Sequence, residues 1–188
     1  MLLRTGVLVI VVLMGALRIP MAAGPPAVPP ASPESPAFRE FRQRAQEYVK
    51  LQKAVPRLRT TKKREEIVER RRALAEKIRE IRSNAQPGDI FTPAASEEFR
   101  RVIRSILQGP GGANVRKTIR QGEPVPGWHV TVNSDYPERL PVTTVPPTLL
   151  LRLPQLPPEL AYRIIGHDLV LQDIEARVVV DFIPGALP

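Results

Sequence analysis

The stretch YRIIGHDLVLQDIEARVVVDFI, residues Tyr162 to Ile183, decides the fold. It holds three strand-length runs rich in Val, Ile and Leu: Ala161–Ile165 (which starts one residue earlier), Asp168–Gln172 and Arg177–Phe182. Gly166-His167 suits a two-residue hairpin turn, with the glycine supplying the positive φ. Asp173–Ala176 is a longer turn opened by an aspartate. The three runs therefore make an antiparallel meander. The same stretch carries His167 beside Asp168, with Asp173, Glu175 and Asp181 nearby, so it must be weighed as a chemical site. A strong metal site needs three or four converging ligands, and the chain has only one other histidine, His129. His167 is read as a turn residue and His129 as structural. Asp168, Asp173 and Asp181 fall near strand ends, where solvated turn carboxylates are expected.

Upstream the period changes from two to 3.6. Phe38, Phe41, Ala45 and Tyr48 make one stripe of a helix that Ser35 caps, Pro36 starts and Pro56 stops. A second helix, capped by Thr60 or Thr61, runs to about Arg82 on a stripe of Ile67, Leu74, Ala75, Ile78 and Ile81, with Arg71 where an apolar residue is due. Both stripes are narrow, which suits one seam buried against each other or a partner. After the breaker QPGD, 86–89, a third helix has Thr92 as cap and Pro93 in its first position. Its face of Phe99, Val102, Ile103, Ile106 and Leu107 is wide, so it is expected to be the best buried. Gly109-Pro110-Gly111-Gly112 stops it, and a short turn of helix follows near 115–120. Trp128, Val130 and Val132 alternate as in a strand. Pro146-Pro147 opens a short helix through Leu153. With aromatics at 5%, the core is expected to be mostly Leu, Ile and Val.

The chain begins as an exported one does. Arg4 precedes an uncharged apolar run, Gly6 to Leu17, and then Ala22-Ala23-Gly24, the three-part layout of a secretory signal peptide over 1–23. The apolar run is shorter than the ~20 residues that span a bilayer. Left uncleaved, the same segment would act as an anchor. A Pro-rich linker, 24–37, follows. The absence of cysteine excludes disulfides, thiol nucleophiles and cysteine-based metal sites.

Charge is segregated. Residues 38–83 carry 16 Lys or Arg against 7 Asp or Glu, a net +9, and the whole chain is also +9, so the rest is neutral. Such a surface attracts polyanions by counterion release. The candidate contacts are Arg57, Arg59, Lys62, Lys63, Arg64, Arg70, Arg71, Arg72, Lys77, Arg79 and Arg82. Against this stands a solvated face, because Glu65, Glu66, Glu69, Glu76 and Glu80 are interleaved for i,i+4 pairing. The aromatics of this region lie on the apolar stripe, leaving no platform for base stacking and no specific nucleic-acid readout. No GxSxG, SxxK, HExxH or phosphate loop is present; GPGG lacks the following lysine and the preceding strand.

The segment VPPTLLLRLPQLPPELAYRIIGHDLVLQDIEARVVVDFI, 145–183, resembles the C-terminal module of exported bacterial proteins of the RcnB type. The shared pattern is a Pro-Pro-Leu helix start, Leu-Pro-x-Leu-Pro-Pro, Tyr-Arg-x-x-Gly-x-Asp and a final strand with an inner aspartate. The rest, including DIFTPAASEEFRRVI, looks like an exported bacterial family without an assigned activity. The resemblance implies export and a small β meander after a short helix. The nickel and cobalt role of RcnB-type proteins does not come with it, because the shared residues specify shape.

The sequence thus reads as an α+β protein: a basic helical hairpin at 38–84, then a small α+β domain at 88–188 with the three-stranded antiparallel β meander at 161–183. The expected role is a non-enzymatic periplasmic or envelope-associated one, structural or interactive, with no cofactor. The alternatives are a module that binds an anionic envelope polymer, a lipid surface or an acidic protein through the basic helices, and a weak metal-handling role. Oligomeric state is not readable from the sequence.

Overall fold

The computed structural model describes residues 35–56, 63–120, 129–136 and 145–187. The leader, most of the linker, Arg57, Arg59, Lys62, the two threonines 60 and 61 and Trp128 lie outside the described residues. The described elements are α1 (Pro36–Ala54), α2 (Arg64–Ile81), α3 (Pro93–Gln108), α4 (Gly112–Arg120), α5 (Pro147–Leu150), β1 (Leu160–Ile165), β2 (Asp168–Asp173) and β3 (Val179–Ile183). The fold is α+β with a C-terminal antiparallel sheet in the order β1-β2-β3.

The helix starts follow from their side chains. Ser35 Oγ accepts from Phe38 N–H at 3.2 Å and Thr92 Oγ1 from Ala95 N–H at 3.3 Å, each followed by a proline that lacks only a donor the first turn cannot use. Helix α2 begins at Arg64 after Lys63 and has no side-chain cap. The β1–β2 hairpin turns at Gly166, φ +58°, and pairs Ile165 with Asp168. The β2–β3 turn is fixed by Asp173, whose Oδ1 accepts from Ala176 N–H at 2.7 Å. At the α3–α4 corner Gly112 comes so close to the end of α3 that a Cβ there would overlap the Leu107 carbonyl.

Two expectations change. Residues 129–132 are not a strand: Ser134 N–H bonds Thr131 O at 3.2 Å and Asn133 sits at φ +65°, so the chain turns where alternation pointed to extension. The segment then runs beside β3 through Asn133 N–H to Val179 O, Val179 N–H to Ser134 O and Tyr136 N–H to Arg177 O. The division between 38–84 and 88–188 is also not one of packing. Phe38, Phe41, Ala45 and Tyr48 of α1, Leu74, Ala75 and Ile78 of α2, the α3 stripe and the inner face of the sheet share one core. Helix α1 packs on α3.

Most of that core is Leu, Ile and Val, as expected, and an aromatic cluster sits within it. Phe99 sits edge-on to Phe38, Phe41 and Phe91 at centroid distances of 5.0, 4.9 and 5.1 Å, and Tyr162 joins at 5.8 Å. Few aromatic residues are present, but the fold gathers five of them. The sheet is covered on its other face as well: Tyr136, Val170 and Val179 form a smaller cluster, which explains why β2 is buried at every position after Asp168. Helix α2 is buried only in its middle. Ile67 is 41% exposed and Ile81 54%, so the seam expected along its whole length is confined to Leu74, Ala75 and Ile78.

Candidate functional site

The carboxylates of the C-terminal stretch do not converge. Asp181 and Asp173 are fully buried, contrary to the solvated turn positions expected of them. Asp181 is the anchor of the loop before α3: Oδ2 accepts from Ile90 and Phe91 N–H at 2.8 and 2.7 Å, and Oδ1 from Gly88 N–H at 3.0 Å and its neighbour Phe182 N–H at 2.8 Å. Asp173 Oδ2 accepts from the Tyr48 hydroxyl at 2.8 Å, tying β2 to α1. Asp168 Oδ1 accepts from Gly185 N–H at 2.9 Å. His167 is exposed; its Nδ1 lies 3.3 Å from Leu187 O, and its own carbonyl accepts from Leu187 N–H at 3.0 Å. Asp168 and Asp181 hold backbone N–H groups, and Asp173 holds both a backbone N–H and the Tyr48 side chain. Among the described residues no three His, Asp or Glu stand together as metal ligands would.

Burial perturbs the Tyr48–Asp173 pair. Desolvation raises the Asp173 pKa above its ordinary 3.8, against the lowering effect of its hydrogen bonds to Ala176 and Tyr48. Burial first, and the Asp173 charge second, raise the Tyr48 phenol. A carboxyl whose folded pKa is raised favours the folded state most when protonated. Its contribution is full below pH 3.8 and is lost as pH rises through the elevated folded value. Asp173→Asn removes that titration, so the fall of stability as pH rises above the ordinary carboxyl value should flatten in urea unfolding followed against pH. An unchanged profile would contradict the buried assignment.

The basic residues divide into two sets. Arg70 and Arg79 of α2, with Arg82 just past its C-terminus, dock the helix. Arg82 donates to Asn133 Oδ1 at 3.2 Å and Val180 O at 3.1 Å, and its guanidinium lies 5.2 Å from the centre of the Tyr48 ring. Burial lowers the Arg82 pKa, although it remains far above neutrality in an arginine. Arg79 donates to Asn133 O at 2.8 Å and to Asp135, and Arg70 bonds Glu175 beside the β2–β3 turn. The other set faces solvent. Lys63, at the N-cap, pairs with Glu66 at 3.1 Å, and within the helix Arg72 pairs with Glu76 at 3.1 Å and Lys77 with Glu80 at 2.7 Å. Arg64 is exposed and Arg71 half-buried. Arg82→Ala should therefore cost about 2–3 kcal/mol in unfolding free energy, since charged hydrogen bonds and stacking are lost together, whereas Arg72→Ala should stay within about 0.5 kcal/mol. Equal urea midpoints for the two variants would overturn this division.

Two grooves are lined by the basic helices. Val68, Arg71, Arg72 and Arg79 of α2 face Asp135, Tyr136 and Arg177 across a cavity of about 450 Å³. Arg177 holds φ +55°, a backbone state that non-glycine residues seldom take. The second groove, about 500 Å³, lies between α1 and the Gln155–Glu159 segment and contains Arg42, Lys50 and Lys53, of which Lys53 bonds Glu159 at 2.6 Å. The α1 cations were not singled out from sequence because single residues spread over about three turns do not read as a cluster. Their spacing of eight and three residues, which puts them on one flank beside the Phe38–Tyr48 stripe, was the available signal. Arg177 carried no signal, since it reaches the α2 groove only through the β2–β3 turn. Comparison with family models, with curated proteins and with solved structures finds no match.

Proposed function

We propose that this chain is a non-enzymatic, exported envelope protein whose role is interaction, and that it engages an anionic partner through the outward cations of α1 and α2. Export rests on the leader, Arg4 followed by Gly6–Leu17 and Ala22-Ala23-Gly24. The observation that carries the interaction reading is the separation of charge: the net +9 of the chain is confined to residues 38–83, and among the described residues six of those cations line two grooves. A scaffold role for His167 and the buried aspartates supports the same reading, because Asp181 is bonded to backbone N–H groups, Asp173 to Ala176 N–H and the Tyr48 hydroxyl, and His167 Nδ1 lies by Leu187 O. Exposed ion pairs within α2 are worth about 0–1 kcal/mol each, so an incoming anion can exchange for them at little cost.

The test is binding of the full-length chain to dextran sulfate and to vesicles containing phosphatidylglycerol at low salt. Association is expected, and adding salt to the physiological range should weaken it by at least about tenfold. Binding to neither probe at low salt would sink the reading.

A further inference from the structure

The α2 groove has a feature that general cationic attraction does not require. Its guanidinium groups are held by carboxylates that are themselves poorly buried: the Glu76 side chain, bonded to Arg72, is 59% exposed, and the Asp135 side chain, bonded to Arg79, is 76% exposed. The base between these pairs is apolar and made of small groups, with Ala75 and Ala176 each 2% exposed and Val68 half-exposed at the rim. Arg71 and Arg177 reach the same space.

Resting on the reading that α2 engages an anion, we infer that this groove is the docking site for an acidic peptide segment of a partner protein, and that Glu76 and Asp135 occupy the positions of that segment's carboxylates until it arrives. Arginine suits the exchange, because each internal pair is held by a single bond, Arg72 Nε to Glu76 and one Arg79 terminal nitrogen to Asp135, and the planar guanidinium can present a fork to an incoming carboxylate. The small apolar base accepts an aliphatic side chain between the two charges, which a sulfated sugar polymer does not offer. A cavity of about 450 Å³ holds a few side chains and is concave, which a flat lipid surface cannot fill. Arg72 and Arg79 are seven residues apart on α2, about 10.5 Å along the helix axis at 1.5 Å per residue. In an extended peptide that distance is about three residues, so carboxylates at i and about i+3 with an aliphatic residue between them should bind best.

The experiment compares two capped synthetic peptides and dextran sulfate on the full-length chain. One peptide has the sequence Asp-Leu-Ala-Asp; in the other, asparagine replaces both aspartates. The Asp peptide is expected to bind and the Asn peptide is not. Glu76→Gln and Asp135→Asn, which remove the internal competitors, should each tighten the Asp peptide several-fold. Glu80→Gln removes the same charge outside the groove and should change it by less than about twofold, as for distant charges in salt. Arg72→Gln should weaken it at least about tenfold. Equal effects of Asp135→Asn and Glu80→Gln would overturn the inference while leaving the anion-binding reading intact. So would binding of dextran sulfate, but not the peptide, with the same dependence on Asp135. Failure of both probes at low salt would remove the two together.

Discussion

Asp181→Asn is expected to be among the most damaging single changes in the chain, lowering unfolding free energy by about 3–5 kcal/mol. The substitution keeps the shape of the side chain but turns one oxygen into an NH₂ group. Either orientation then sets a donor against two backbone donors: Ile90 and Phe91 on one side, Gly88 and Phe182 on the other. The site is fully buried, so water does not replace the lost acceptor. The loop at 86–92 has no other partner for those N–H groups in its own turn, and it sets the start of α3. Asp168→Asn is the control, because its carboxylate accepts one exposed bond from Gly185 and should cost less than about 1 kcal/mol. Urea midpoints with an unchanged m-value measure both. A loss below about 1 kcal/mol for Asp181→Asn would contradict its role as the clamp between β3 and the α3 loop.

Phe99→Ala should cost a similar amount, about 3–5 kcal/mol, by a different cause. The Phe99 ring is 0% exposed and touches four aromatic rings drawn from α1, the loop before α3 and β1. Its removal leaves a cavity where α1, α3 and β1 meet, and stiff rings cannot collapse to fill it. Phe99→Leu restores most of the volume and should reduce the loss to about 1.5–2 kcal/mol. If Ala and Leu were equally tolerated, the aromatic cluster would not be the centre of the fold.

Local patterns carried much of this architecture. Gly166 between two apolar runs, Asp173 at the head of a turn, and Ser35-Pro36 and Thr92-Pro93 at helix starts each act within a few residues, so their reading needs no tertiary knowledge. The wide face of α3 likewise announced its burial through Phe99, Ile103 and Leu107. What stayed hidden acts across the chain. Asp181 looks like a turn carboxylate until the loop 90 residues earlier is placed beside it. Arg82 looks like one more surface cation until Tyr48 and Asn133 surround it. Alternation at Trp128, Val130 and Val132 suggested a strand, yet one residue in the left-handed region, Asn133, turns the chain. The candidate surface was legible as a charge excess but not as a groove, because Arg177 and Asp135 enter it from a distant turn and a distant loop.

Outward arginines of α2, rather than the His167-Asp168 corner, are proposed to make the contact with an anionic partner. The most direct measurement is the slope of log association constant against log salt concentration for dextran sulfate, taken for the unaltered chain, for the triple variant Arg64→Gln/Arg71→Gln/Arg72→Gln and for His167→Ala. Each cation that releases a counterion contributes to that slope. The expected result is a slope reduced by about two to three units in the triple variant and unchanged in His167→Ala. A triple variant that keeps the full slope and affinity, or a His167→Ala variant that loses binding, would contradict the account.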